Sequence, residues 1–257
     1  MTTQFAGRTA LVTGAGRGIG QAAALQLAAA GASLILIARS ASQLAQTAAM
    51  AVAQGAPPGQ IHIVPADLGD SEQLTAAAAA ASGTPGVDIL VNNAATVEPL
   101  GPTVGIPAAE LRRAFEINVI APAVLSAAVL PGMLDTGWGR IVNVSSGIAA
   151  RPASMVGGNA YAATKAALEA HTVNLAAELA GTGVTVNAYR PGGVDTAMQA
   201  WIRGQDPARI GAALHDRFSR SYADGTLITP EYSASVLVGH LSGDDNGTIW
   251  DVGTGPS

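Results

Sequence analysis

The 257-residue chain has no cysteine, few aromatic side chains (4%) and few charges (12%). Without cysteine there is no disulfide framework, no thiolate nucleophile and no thiolate-bearing zinc site. The four histidines, His62, His171, His215 and His240, lie far apart with no i, i+4 pair, so no metal site is expected from them. Cations are scarcer than anions, 13 Lys+Arg against 18 Asp+Glu for a net charge of −5, and no basic stripe points to a nucleic-acid partner. The start, Met1-Thr2-Thr3-Gln4-Phe5, carries neither the basic nor the apolar region of a secretory signal, which makes the cytoplasm the expected compartment. Long apolar runs are also missing. Residues 22–38 and 119–134 are the greasiest, but each is shorter than about 18 apolar residues and is interrupted by Gly or Pro, so no membrane span is expected.

What is present is a chain 49% hydrophobic, rich in alanine and in glycine (31 residues). High hydrophobicity at low net charge argues against disorder, and α/β folds of about 250 residues form one domain, so residues 1–257 are expected to fold as one unit. Along the chain, short apolar runs alternate with helical periodicity, the signature of βαβ units and a parallel sheet. Strands are predicted at 8–13, 33–38, 61–64, 87–91, 140–144, 184–188 and 248–252. Helices are predicted at 19–30, 42–54, 71–82, 107–133 (bent at Pro122) and 160–180. Residues 192–225 carry only helical patches, at 196–202 and 207–218; a segment that long in a compact α/β domain reads as a substrate loop.

Thr13-Gly14-Ala15-Gly16-Arg17-Gly18-Ile19-Gly20 falls between the first strand and the first helix. Glycines there permit a tight turn and a close approach of backbone to a pyrophosphate, while the helix N-terminus offers N–H donors and a partial positive charge. Downstream, Tyr161 and Lys165 are one helical turn apart and share a face. A phenol of pKa about 10 needs roughly 4 kcal/mol of preferential stabilisation of its phenolate to act as a base near pH 7, and a neighbouring ammonium together with an oxidised nicotinamide ring can supply much of that.

With the glycine loop in Thr-Gly-x-x-x-Gly-x-Gly form and Tyr-x-x-x-Lys in the second half, the sequence resembles the short-chain dehydrogenase/reductase family from about Arg8 to Val252. The resemblance implies a Rossmann-type, doubly wound, seven-stranded parallel sheet with helices on both faces. It also implies a nicotinamide cofactor and a catalytic set of Asn118, Ser146, Tyr161 and Lys165. Asn118 would position Lys165 through water, and Ser146 would hydrogen-bond the substrate oxygen. Cofactor contacts are implied for Thr13, Gly14, Arg17, Gly18, Ile19 and Gly20. Asp67 would contact the adenine ring, Pro191 and Gly192 would lie beside the nicotinamide and Thr196 would bond its carboxamide or a phosphate; Leu68, Asn93, Ala94, Tyr161, Lys165 and Val194 are further implied cofactor contacts. Ala95 stands where the family has glycine, and the interval from Ser146 to Tyr161 is longer than the family's commonest spacing. The ending Asp251-Val252-Gly253-Thr254-Gly255 matches the family's only loosely.

NADP(H) is favoured over NAD(H), because the second strand ends in Ala38-Arg39-Ser40: no carboxylate repels a 2′-phosphate there, and Arg39, with Arg17, offers a cation. The expected reaction is hydride transfer between nicotinamide and a small-molecule carbonyl or secondary alcohol. Val97, Met155, Met198 and Trp201 are candidates for the substrate pocket, and Arg151 or Arg203 for an anionic group. Two alternatives stand beside this reading: a 3-oxoacyl-type reductase, disfavoured because Gly137 and Thr182 occupy the positions of carrier-docking cations, and a dinucleotide-binding sensor without chemistry. A homotetramer or homodimer is implied, built on residues 107–133 and 160–180. Arg190, before Pro191, has no assigned role.

Overall fold

A computed structural model of the chain describes residues 4–83 and 86–253. Seven strands, β1 (Thr9–Thr13), β2 (Ser33–Ala38), β3 (Ile61–Pro65), β4 (Ile89–Asn92), β5 (Gly139–Val144), β6 (Val184–Arg190) and β7 (Ile249–Asp251), form one parallel sheet in the order β3-β2-β1-β4-β5-β6-β7. This is the doubly wound architecture that the sequence predicts. Of the loose C-terminal resemblance, Thr254 and Gly255 lie outside the described residues.

Alternation along each strand divides the apolar side chains between two cores. Ala10, Val12, Leu34, Leu36, Ile89 and Val91 face one helical layer, in which α1 (Gly18–Ala29) packs on α10 (Pro230–His240). Leu11, Ile35, Ile37, Leu90 and Ile141 face the other, formed by α3 (Ser71–Ala81), α5 (Ala121–Thr136) and α6 (Asn159–Glu178). Helix α2 (Ala41–Ala53) begins at Ser40, whose hydroxyl caps Gln43 N.

Three local readings change. Residues 226–247, for which periodicity gives no expectation, contain α10, started by the Thr229 hydroxyl accepting from Tyr232 N and by Pro230 in the first turn. The helical patch at 207–218 is two helices, α8 (Pro207–Ile210) and α9 (Ala212–Ala223), separated at Gly211, where φ is 94°. The stretch predicted at 107–133 is α4 (Ala108–Phe115), a π-helical turn at Glu116–Ile120, and α5. Its irregularity is the wide turn at Glu116–Ile120, directly before Pro122, whose missing N–H removes a hydrogen bond from the continuous helix there. The whole stretch Ala108–Thr136 is long and apolar enough to cross a bilayer. In this fold it lies on the sheet, with Ala121, Leu125, Val129 and Met133 in the core.

Candidate active site

The switch in strand order falls between β1, which leads to β2, and β4, so the loops at the carboxyl ends of β1 and β4 splay apart and open a crevice. The cavity there measures about 1300 Å³, large enough for a dinucleotide and a substrate together. Every cofactor residue expected from the sequence lines it except Thr13 and Gly20, and Ser146, Val97, Met155, Met198 and Trp201 line it as well.

Thr13 and Gly20 act behind the surface. The Thr13 hydroxyl accepts from Asn93 N (2.9 Å) and Ala94 N (3.0 Å), and Asn93 Nδ2 donates to Thr13 O (2.9 Å), which stitches the glycine loop to the β4 loop. A Cβ on Gly20 would stand 2.4 Å from both Asn93 Nδ2 and Gly14 O, so only glycine lets α1 approach this junction. Gly14 itself takes φ 66°, a left-handed turn that aims the loop at the start of α1. Together these form a backbone cradle at a helix N-terminus, where an added side chain would fill the space, and the fit to a pyrophosphate follows.

At the adenosine end, Arg39 is exposed and Asp67 is paired with Arg113 Nη2 at 2.7 Å. Burial acts to raise the Asp67 carboxyl, but the Gly69 N–H, Arg113 and Arg39 outweigh it and hold the group below its ordinary value. The residues that follow β2, Arg39 and Ser40, include no carboxylate; the acid that Arg39 does act on is Asp67.

At the other end, α6 presents Tyr161 and Lys165 to the end of β5. Lys165, the chain's single lysine, is 2% exposed; its Nζ donates to Val144 O at 2.7 Å and lies 5.8 Å from the Tyr161 ring centroid. Burial pushes its pKa down to about 8 against an opposing effect of Glu169. The Tyr161 phenol hydrogen-bonds Ser146, which lowers its pKa, but burial is the larger effect and raises it. The lowered phenol expected from the sequence is therefore not produced by the chain alone, because a buried anion loses more solvation than one hydroxyl returns. Asn118 is 1% exposed; its amide accepts from Thr96 N (2.8 Å) and donates to Thr96 O (2.8 Å) and Thr164 Oγ1 (3.0 Å), with no bond to Lys165 among the described residues.

The end of the cavity beside Tyr161 is walled by a third apolar cluster that joins Val97, Leu100, Ile148, Met155, Ile202 and Leu214, with Tyr161, Met198 and Trp201 packed on it. The segment between Ser146 and Tyr161 reaches across this wall: Gly101 N donates to Gly157 O at 2.8 Å, and Arg217 bonds Ser154 O. Helix α7 (Ala197–Arg203) brings Met198 and Trp201 over the cleft. Arg203 is turned away, 3.8 Å from Asp195 and stacked on Tyr222, whereas Arg151 lines the cavity. Trp250 stacks on His240 with centroids 4.4 Å apart, and Trp138 lies under the guanidinium groups of Arg8 and Arg140, so both tryptophans belong to the scaffold.

Sequence reasoning missed Glu169 and left Arg190 unassigned. Arg190 Nε and Nη2 each donate to the Glu169 carboxylate at 2.8 Å, directly behind Lys165. The i+4 spacing from Lys165 to Glu169 was the available signal.

A glycine cradle at the switch point of a parallel sheet, facing a Ser, Tyr and Lys set, defines a dinucleotide-binding oxidoreductase fold. The chain belongs to the short-chain dehydrogenase family, whose model matches residues 8–207. It is 36% identical over 211 residues to the ketoacyl reductase HetN of Nostoc sp., covering 81% of this chain and 71% of that protein. The L-sorbose reductase of Gluconobacter frateurii, solved with NADPH and L-sorbose, superposes with a TM-score of 0.84 at 27% identity over 99% of this chain and 98% of that one. A variant of the actinorhodin polyketide ketoreductase with NADPH does so with a TM-score of 0.83 at 30% identity, covering 98% and 97%.

Proposed function

We propose that this protein is an NADP(H)-dependent oxidoreductase that interconverts a small-molecule carbonyl and its secondary alcohol. The observation that carries this is the face of α6 that sets Tyr161 and Lys165 against Ser146, in the same cleft whose far end holds the glycine cradle. Gly14, Gly18 and Ile19 would hold the pyrophosphate, Arg39 and Arg17 the 2′-phosphate, and Asn93, Pro191, Gly192, Val194 and Thr196 the nicotinamide half. The nicotinamide supplies the hydride acceptor or donor. Tyr161 gives or takes the proton at the substrate oxygen, Ser146 Oγ donates a hydrogen bond to that oxygen, and the Lys165 ammonium, steadied on Val144 O, favours the phenolate. In reduction Tyr161 starts protonated, which its burial favours.

The NADP(H) preference is supported by Arg39 and by the two structural neighbours solved with NADPH. A ketoacyl substrate is suggested by the name of the Nostoc relative, but docking of an acidic carrier is opposed by Gly137, Thr182 and the net charge of −5. Assembly as a homodimer or homotetramer is supported by the half-exposed Leu111, Ile120, Leu134 and Val173 on α4 to α6; sedimentation showing only monomer would refute it. The deciding experiment is turnover with NADPH and NADH across aldehydes, ketones and secondary alcohols. No cofactor consumption with any of them leaves the sensor reading in place.

A further inference from the structure

Tyr161, Lys165 and Glu169 recur at every fourth position of α6 and so share one face. Each is tied to one of three consecutive residues at the end of β5. Tyr161 meets Ser146, Lys165 Nζ donates to Val144 O (2.7 Å), and Ser145 Oγ donates to Glu169 Oε1 (2.7 Å). Glu169 is 8% exposed and is also held bidentately by Arg190 from the end of β6, with Asp251 Oδ2 of β7 3.7 Å behind Arg190 Nη1. A buried carboxylate held by three charge-assisted or hydroxyl bonds is locked in place.

We propose that Glu169 is a positioning residue of the catalytic face: it fixes the strand end that bears Ser146 and supplies the negative charge that keeps the Lys165 ammonium protonated, while Arg190 holds Glu169 in register. The ionisable groups around Lys165 are Tyr161 and Glu169 on its own helix and, beyond Glu169, Arg190 on β6; β5 offers only a carbonyl and two hydroxyls. Burial brings the ammonium down to about 8 even with Glu169 acting against it, so losing Glu169 would carry the midpoint further toward neutral pH. This role also accounts for Arg190: without it only Ser145 Oγ would hold the Glu169 carboxylate.

The inference rests on the reading of Lys165 as the active-site cation, yet its test uses neither cofactor nor substrate. Because Lys165 is the only lysine, the full chain labelled with ¹³C at lysine Cε gives one side-chain resonance whose shift follows the ammonium titration. The midpoint is expected near 8 in the parent, and lower by about one pH unit in Glu169→Gln, a roughly tenfold fall in the ratio of charged to neutral lysine at a given pH. Since that variant strands Arg190, the pair Glu169→Gln with Arg190→Met removes both charges; the same fall is expected there, because Glu169 and not Arg190 acts on Lys165. A midpoint that stays at the parent value in the folded variants overturns the proposal and leaves the pair as a strut between β6 and α6. Absence of turnover in the parent would instead overturn the proposed function.

Discussion

Lys165 Nζ donates to the main-chain carbonyl of Val144 at 2.7 Å, which anchors α6 to the last residue of β5, just before Ser145 and Ser146. Tyr161 and Lys165 are thereby held by one helix against the end of one strand, directly before Ser145 and Ser146.

Tyr161→Phe keeps the ring in its apolar surroundings and removes the only atom that exchanges a proton. A loss in kcat of at least about 100-fold is expected, with cofactor affinity by fluorescence titration within a few fold of the parent. Parent-like turnover would sink the assignment.

Arg39→Ala removes a cation at the end of β2 without touching the fold, since the side chain is exposed. The KM for NADPH should rise roughly 10- to 100-fold, the range for a charge-assisted hydrogen bond, while that for NADH stays unchanged. Equal effects on both cofactors would place the 2′-phosphate elsewhere.

The depressed Lys165 pKa has a stability consequence whose sign is fixed. Folded at about 8 and unfolded at 10.5, the lysine binds more protons in the unfolded state between those values, so stability rises with pH across that window, and the full cost of burying the charge is present below pH 8. Comparing the parent with Lys165→Met isolates this group: the parent should gain about 2 kcal/mol relative to the variant between pH 7 and pH 10, read by denaturant unfolding. A difference that does not vary with pH contradicts a buried ammonium.

Asn118→Ala would leave the Thr96 N–H and C=O without their side-chain partner. Unpaired buried groups cost about 1–3 kcal/mol each, so a stability loss of roughly 2–4 kcal/mol is expected, with a melting temperature lower by roughly 5–15 °C. A melting temperature equal to the parent's would mean that the loop after β4 is fixed by other contacts.

The α/β alternation, the glycine loop, and the Tyr161 and Lys165 pair were legible because each is local: a period, a turn or a helical repeat. Helix α10 escaped despite its Thr229-Pro230 cap, since its apolar periodicity is weak. The π turn escaped because nothing in residues 116–120 distinguishes a wide turn from a regular one. Leu68, Asn93 and Val194 could be placed in the cleft only through the family pattern, as their own sequence neighbourhoods are ordinary.

Sequence alone determined the seven strands and the chemistry-bearing residue types, because hydrogen-bond periods and turn stereochemistry act over a few residues. Only the tertiary structure decided that Thr13 and Gly20 support the cradle from behind and that Arg203 turns to Asp195. It alone gave Arg190 a partner in Glu169, 21 positions away. Such pairings are set by which strand ends lie side by side in the sheet, and no local spacing records that distance.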